Sequence, residues 1–481
     1  MTDAASADHF DLIVLGAGTG GYSAAFRAGQ LGLRTALVDE GQIGGTCLHR
    51  GCIPTKALLE SADLLARMRK AKEFGLTVDG SISVDYPAIA ARRDAVVKRM
   101  TTGLRSLVKK NGVEWVSGRG RLDGATTVRV SLAGEDGTPG AGGERVLTAT
   151  DVILATGSRT KSLPGLVPDG VRILTSDDIL RRSELPASIV IVGAGAVGVE
   201  FASFFHDMGA TVTLVEYLPT IVPLEDAEVS AVVERSFTRR GIKVITKARF
   251  DTAAVVADDA GIRFTVARDG EEGSEEIAAE VMLVATGRAA NVEGVGLETT
   301  RAVVERGIVV VDDHMRTDEP HLWAIGDIVG GLWLAHTAAH EGLIAVHTMA
   351  GDDVEGMDYA KQPRATYCRP EIASIGLTEA QAAERGITTR VGKVPFQAIG
   401  KAIIGGEYEG FAKVVEDAES GETIGVHIVG PHATDLISEG AVAMVLEAQP
   451  WEIALATHPH PTNAEVLAEA AMAVDGRSIN F

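Results

Sequence analysis

Apolar positions along this chain gather into short runs, each ending at a glycine-rich turn. Asp11-Leu12-Ile13-Val14-Leu15 leads into Gly16-Ala17-Gly18-Thr19-Gly20-Gly21, and Ser188-Ile189-Val190-Ile191-Val192 leads into Gly193-Ala194-Gly195-Ala196-Val197-Gly198. Each run predicts a buried strand, and the small residues after each turn predict a helix. A second apolar strand follows in both places, Thr35-Ala36-Leu37-Val38 and Thr211-Val212-Thr213-Leu214-Val215. Each of these ends at an acid, Asp39 and Glu216, and each acid lies 23 residues after the first glycine of its turn. The chain therefore carries an internal echo. Gly134 to Gly143 predicts a long hairpin loop. From about residue 356, alternating patterns such as Phe411-Ala412-Lys413-Val414-Val415 and Thr423–Val429 predict strands. Helical patterns follow them, as in a separate α+β domain.

Every part of the repeated pattern has a physical job. Gly16, Gly18 and Gly21, like Gly193, Gly195 and Gly198, let backbone approach a pyrophosphate. The helix that follows offers free amides and the positive end of its dipole, and the acid accepts from a ribose hydroxyl. One such motif alone could be a tight turn in an ordinary sheet. Two complete copies, each between a strand and a helix, predict two dinucleotide sites in Rossmann-like α/β domains.

Composition narrows the functional classes. A formal net charge of -21 over 481 residues argues against a nucleic-acid partner. The longest apolar stretch, Ile189 to Phe205, carries Glu200 and three glycines, and reads as strand running into helix rather than a membrane span. Met1 to Phe10 lacks a basic region followed by an apolar run, so the expected location is the cytoplasm.

Two of the three cysteines, Cys47 and Cys52, lie five positions apart in Gly44-Gly45-Thr46-Cys47-Leu48-His49-Arg50-Gly51-Cys52-Ile53-Pro54-Thr55-Lys56. Beside a dinucleotide site in a reducing compartment, this spacing points to redox chemistry. A metal pair is the alternative, but only His49 stands near at ligand spacing and a closed zinc site needs four ligands. No metal is expected. Lys56 follows Cys52 by four residues, which on a helix places both on one face.

With these parts placed, the chain resembles the class I flavoprotein disulfide reductases along nearly its full length. The segment 44–59 matches the redox-active signature of that family. Ala155-Thr156-Gly157-Ser158 and Ala285-Thr286-Gly287-Arg288 match the ends of its two nucleotide domains. Ala324-Ile325-Gly326-Asp327, Leu334-Ala335-His336 and Glu341-Gly342 match its second flavin-contacting element. His458-Pro459-His460-Pro461-Thr462 with Glu465 matches its C-terminal acid/base motif.

The resemblance implies FAD at the first site and a nicotinamide nucleotide at the second. It implies an FAD-binding domain at 1–158, an NAD-binding domain at 159–287, a central segment at 288–355 that completes the flavin pocket, and a dimerisation domain at 356–481. Thr46, Lys56, Thr156, Gly157, Asp327 and Ala335 are implied flavin contacts, with Gly120 offering backbone near the adenine; Gly287 belongs to the second nucleotide domain. Cys47 and Cys52 are implied to form a disulfide at the start of a helix, Cys52 against the flavin and Cys47 toward substrate. A helix N-terminus is expected to favour thiolate there. Lys56, with Glu200 as its partner, is implied to stabilise reduced flavin. His460 is the implied general base, reaching the cysteines of a second subunit in a homodimer, with Glu465 orienting it. His458 and Cys368 read as structural.

Glu216 would repel a 2′-phosphate, so NAD is expected over NADP. The branch it suggests oxidises dihydrolipoamide carried on lipoyl domains of 2-oxo acid dehydrogenase or glycine cleavage complexes. Reduction of another small disulfide, of the mycothione or glutathione kind, is the competing activity, and a flavin-loaded structural subunit the non-enzymatic one. The extra terminal cysteine pair of mercuric reductases is missing from this sequence. His49-Arg50 stand between the cysteines where many relatives carry Asn-Val.

Overall fold

The computed structural model describes residues 8–134, 138 and 140–481. The chain is mixed α/β and divides into two compact units. One comprises residues 1–57, 88–161 and 288–359; the other comprises 58–87, 162–287 and 360–481.

In the first unit a parallel sheet runs in the order Glu114–Leu122, Thr35–Asp39, His9–Leu15, Glu144–Leu154, Leu322–Ala324. Its two long strands bend out of the sheet and join Thr127–Leu132 in an antiparallel meander. The apolar run at the first strand is explained by cover on both faces. Leu12 and Val14 pack toward helix Thr19–Gln30 and helix Ala335–Ala350, whereas Ile13 and Leu15 pack toward the meander. All four are at most 2% exposed, and burying each stabilises the fold by about 1.5–3 kcal/mol relative to leaving it in water. The two helices cross closely: a Cβ on Gly20 would lie 2.9 Å from the Ala338 carbonyl oxygen, and one on Gly342 would lie 2.9 Å from that of Gly20. The expected loop at 134–143 falls between two paired antiparallel strands. Its residues 135–137 and 139, like the first seven residues, lie outside the described residues.

In the second unit a parallel sheet runs Lys243–Ile245, Thr211–Val215, Ser188–Val192, Val281–Val284, Ile173–Leu174. The long apolar stretch resolves into strand Ser188–Val192 and helix Ala196–Met208, as its pattern predicts. A small antiparallel sheet built on Gly261–Arg268 and Ser274–Ala279 covers one face. An antiparallel five-stranded sheet follows, in the order Arg364–Thr366, Glu371–Gly376, Thr423–Gly430, Phe411–Asp417, Thr389–Pro395. Helices Ala433–Val445 and Glu465–Ala473 pack on it. Among the described residues no helix is long and apolar enough to cross a membrane.

Candidate active site

The two glycine turns have the same internal construction. Gly16 and Gly193 hold φ +104° and +100°, the left-handed region open to glycine. A Cβ on Gly21 would lie 1.9 Å from the Gly16 carbonyl oxygen, and one on Gly198 lies equally close to that of Gly193. These glycines are demanded by the chain itself. Gly18 and Gly195 are different. Both precede the first helical residue with ordinary extended backbone, and a Cβ on either would meet no protein atom within 4 Å. Nothing in the chain requires glycine there, whereas a pyrophosphate laid against the helix start does. Both turns therefore fit a dinucleotide.

The acids brace the turns they follow. Asp39 accepts from the Ala17 amide at 2.7 Å and the Gly41 amide at 2.6 Å. Glu216 accepts from the Ala194 amide at 2.6 Å and the Leu218 amide at 2.8 Å. Each carboxylate is held in place with lone pairs to spare for a ribose hydroxyl. Sequence reasoning missed Arg249, whose guanidinium lies 4.7 Å over the Tyr217 ring. Its charge is answered by Asp269, so the buried Glu216 still decides the sign at the ribose. Glu216→Ala should lower the NAD over NADP ratio of kcat/KM by roughly tenfold or more, the scale of a hydrogen bond to a charged group. An unchanged ratio counts against this role.

The cysteine segment is docked on the first turn. The Gly44 amide donates to the Ala17 carbonyl at 2.8 Å, and a Cβ on Gly45 would lie 2.6 Å from Gly18 Cα. Thr46 and Cys47 lie in the short helix Gly45–Arg50, and Cys52 opens helix Cys52–Arg69, which also carries Lys56. The His49 ring is tied to the Ile43 carbonyl at 2.9 Å. Cys47 and Cys52 share a side-chain hydrogen bond. That bond is the largest cause pushing the Cys47 thiol well above its ordinary pKa, followed by burial and the charge of Cys52; Thr19 and Lys56 oppose it. The direction at Cys47 is opposite to the one expected from a helix start. The neighbouring sulfur and burial together outweigh the helix start at Cys47.

The expected flavin contacts surround this turn in the first unit. Gly120 lies opposite Val130 in the meander, and a Cβ there would lie 2.6 Å from Leu15 Cδ2, so close packing already demands this glycine. Thr156 donates to the Asn291 carbonyl at 2.8 Å, and Gly157 beside it has φ +69°. Asp327 is bonded by the Ser158 hydroxyl, which accepts from Arg288 at 2.6 Å. Ala335 opens its helix with no side-chain cap. Sequence reasoning missed Tyr359. Its hydroxyl donates to Glu341 at 2.8 Å, and Glu341 also accepts from the Gly326 amide at 2.5 Å. Glu341 is 1% exposed, and its burial, with Asp327 nearby, raises its pKa against those two hydrogen bonds. The pair thereby fixes the backbone just before Asp327.

The remaining site residues belong to the second unit. Gly287, at φ +109°, follows the last strand of the second nucleotide sheet. Glu200 is buried in helix Ala196–Met208 and accepts from the Tyr367 amide at 2.9 Å. His460 Nδ1 lies 2.8 Å from Glu465, which also accepts from the Thr462 amide at 2.9 Å. Burial raises the Glu465 pKa, but these two hydrogen bonds outweigh it and hold the carboxyl below its usual range. The His460 side chain is 78% exposed, so its second nitrogen is open to a substrate. His458 is tied at both nitrogens, to the Ala456 carbonyl and to Glu439, each at 2.7 Å. Cys368 is fully buried, as a core residue should be, although it lies in the turn between two strands rather than within one. Among the described residues no group of three or more His, Cys, Asp or Glu is placed to hold a metal.

The sequence pattern of the pyridine nucleotide-disulphide oxidoreductases matches residues 10–342, and that of their dimerisation domain matches residues 362–471. A Bacillus subtilis protein named dihydrolipoyl dehydrogenase is 46% identical over 99% of this chain and all of its own length. A Zymomonas mobilis protein of the same name is 43% identical over the same shares of the two chains. The crystal structure of LpdA from Mycobacterium tuberculosis superposes with a TM-score of 0.87 at 28% identity, covering 96% of this chain and 98% of that one. Two copies of one nucleotide-binding turn, a thiol pair docked on the first of them and a C-terminal dimerisation domain thus have a common origin: the chain belongs to the pyridine nucleotide-disulphide oxidoreductase family.

Proposed function

We propose that this protein is an NAD-dependent dihydrolipoyl dehydrogenase. The observation that carries the reading is the hydrogen-bonded pair Cys47 and Cys52, docked backbone to backbone on a turn that fits a dinucleotide. The relatives named for this activity span the whole chain and support it.

A thiolate of dihydrolipoamide attacks the sulfur of Cys47 in the Cys47–Cys52 disulfide. The S–S bond breaks and its electron pair leaves on Cys52. The second substrate thiol then attacks the lipoyl sulfur bonded to Cys47. This closes the lipoyl disulfide and expels Cys47. His460 of the partner subunit takes the substrate protons. In the chain described here Glu465 holds the imidazole in one orientation and stays ionised beside it. FAD, if bound at the first glycine turn, would supply the two-electron acceptor between Cys52 and NAD. Lys56 stands near the thiols to offset negative charge. The net change is oxidation of a dithiol and reduction of NAD, with one proton released.

This reading divides the chain into FAD-binding residues 1–158 and 288–355, NAD-binding residues 159–287 and interface residues 356–481. The extents of the two matched family patterns support the last boundary. The expected macromolecular partners are a second copy of this chain and lipoyl domains. A dithiol that must cycle suits a reducing compartment such as the cytoplasm.

Dihydrolipoamide added without oxygen to the flavin-loaded protein should, at about one equivalent per site, open the Cys47–Cys52 disulfide and give a long-wavelength absorbance beside oxidised flavin, the stoichiometry of a two-electron thiol–disulfide exchange. A spectrum unchanged by excess dihydrolipoamide, yet changed by NADPH, contradicts the assignment.

A further inference from the structure

A dithiol carried on a protein domain reaches Cys47 only if some surface near the redox pair receives that domain. Helix Tyr86–Lys110 belongs to the first unit from residue 88 on. Near its start the Arg92 guanidinium donates to the Ala57 carbonyl at 3.0 Å. Ala57 follows Lys56 on the helix that Cys52 opens, so this end is fastened beside the thiols. Beyond its last residue, the Asn111 carbonyl oxygen lies 2.2 Å from where a Cβ on Gly29 would stand. Gly29 is near the far end of helix Thr19–Gln30, whose start adjoins the cysteine segment. Leu104 and Val108 face inward and pack in the core with that helix. The long helix therefore leads away from the redox pair with its other side outward.

That outward side is basic. The chain as a whole holds 66 acids against 45 Lys and Arg, yet this helix holds seven Lys and Arg against one acid, Asp94. Lys98, Arg105 and Lys109 form one row along it, and Arg92, Arg99 and Lys110 form a second. The spacings within the rows are seven, four and eleven residues, each close to a whole number of turns. All six side chains are exposed. Among the described residues none of Lys98, Arg99, Arg105, Lys109 and Lys110 is ion-paired. Lys109 and Lys110 stand in the last turn, where the helix dipole favours cations. Lys98, Arg99 and Arg105 have no such reason, and Arg105 and Lys109, four apart, repel each other. This charge weakens the helix that carries it, and a partner of opposite sign accounts for it. Exposed Met100 and Leu107 add an apolar row beside Arg99 and Lys110. Apolar spots among arginines suit a protein surface rather than a small ion.

We propose that the outward face of helix Tyr86–Lys110 is the docking surface for the lipoyl-bearing domain, which meets it with an acidic face. The row from Lys98 to Lys109 spans about 17 Å, room for several side-chain contacts. Free dihydrolipoamide is uncharged, so the basic rows attract the domain and not the dithiol itself. The inference rests on the proposed dihydrolipoyl dehydrogenase activity and adds how the substrate is presented.

The test compares two substrates of the FAD-loaded dimer at low salt: free dihydrolipoamide, and a reduced lipoyl domain from a 2-oxo acid dehydrogenase of the same organism. The triple variant Lys98→Glu, Arg105→Glu, Lys109→Glu should lower kcat/KM for the domain about tenfold or more, the scale of lost electrostatic steering. Its kcat/KM for free dihydrolipoamide should not change. In the unaltered protein, added salt should lower kcat/KM for the domain and leave that for the free dithiol in place. Arg105→Gln should give a smaller loss of the same kind, and it replaces the triple variant if that chain fails to retain flavin. Domain turnover unmoved in a variant that oxidises free dihydrolipoamide normally overturns the docking surface alone. An unaltered protein that oxidises neither substrate overturns the activity on which it rests.

Discussion

Replacing His460 by alanine or glutamine should lower dihydrolipoamide oxidation by about a hundredfold or more, the usual scale for loss of a positioned general base. The imidazole has one nitrogen committed to Glu465 at 2.8 Å and the other facing open space. A dithiol ionises little at neutral pH, so its attack on the disulfide depends on that open nitrogen taking the proton. NADH-driven reduction of a one-electron acceptor at the flavin needs no thiol proton and should survive the substitution. Loss of both activities together would mean a damaged fold rather than a missing base. Glu465→Gln should cost less, because an amide still orients the ring while no longer supporting its cation. The same residues test the subunit arrangement. A heterodimer of one Cys47→Ser chain and one His460→Ala chain should regain one working site; verified heterodimers without activity would place cysteines and histidine in the same chain.

Serine at either redox position should abolish dihydrolipoamide turnover, but the two variants should look different. The proposed scheme places Cys52 toward the flavin and Cys47 toward substrate. In Cys47→Ser the remaining sulfur cannot be tied up in a disulfide, and it stands as a free thiolate accepting from the serine hydroxyl. A long-wavelength absorbance beside oxidised flavin should then be present without any reductant. In Cys52→Ser the remaining thiol is the one directed at substrate rather than at the flavin, and that absorbance should be missing. The opposite pattern would reverse the roles of the two cysteines.

The repeated turns were legible because their chemistry is local. Glycines at fixed offsets, a strand before, a helix after and an acid 23 residues on can all be read along the chain, and the acids do reach back to the turns. The redox pair was legible for the same reason, since its members lie five positions apart, whereas His460 and Glu465 were legible only through the resemblance of their motif to that of the family. What escaped were contacts made across long loops or by shape. Tyr359 meets Glu341 from 18 residues away, at the end of a segment with no regular period. Arg249 reaches Tyr217 from a different strand. Gly120 owes its lack of a side chain partly to Leu15 and Val38 beneath it, which no spacing reveals. The direction of the Cys47 shift escaped too. Helix starts favour thiolates, but the neighbouring Cys52 and burial push Cys47 the other way, and only the folded pairing shows it.

The most direct measurement is steady-state turnover of the purified, FAD-loaded dimer with dihydrolipoamide and either NAD or NADP. The account predicts NADH formed in step with dihydrolipoamide consumed, and a kcat/KM for NAD far above that for NADP. Turnover of NADPH with a small disulfide, without reduction of NAD by dihydrolipoamide, would contradict it.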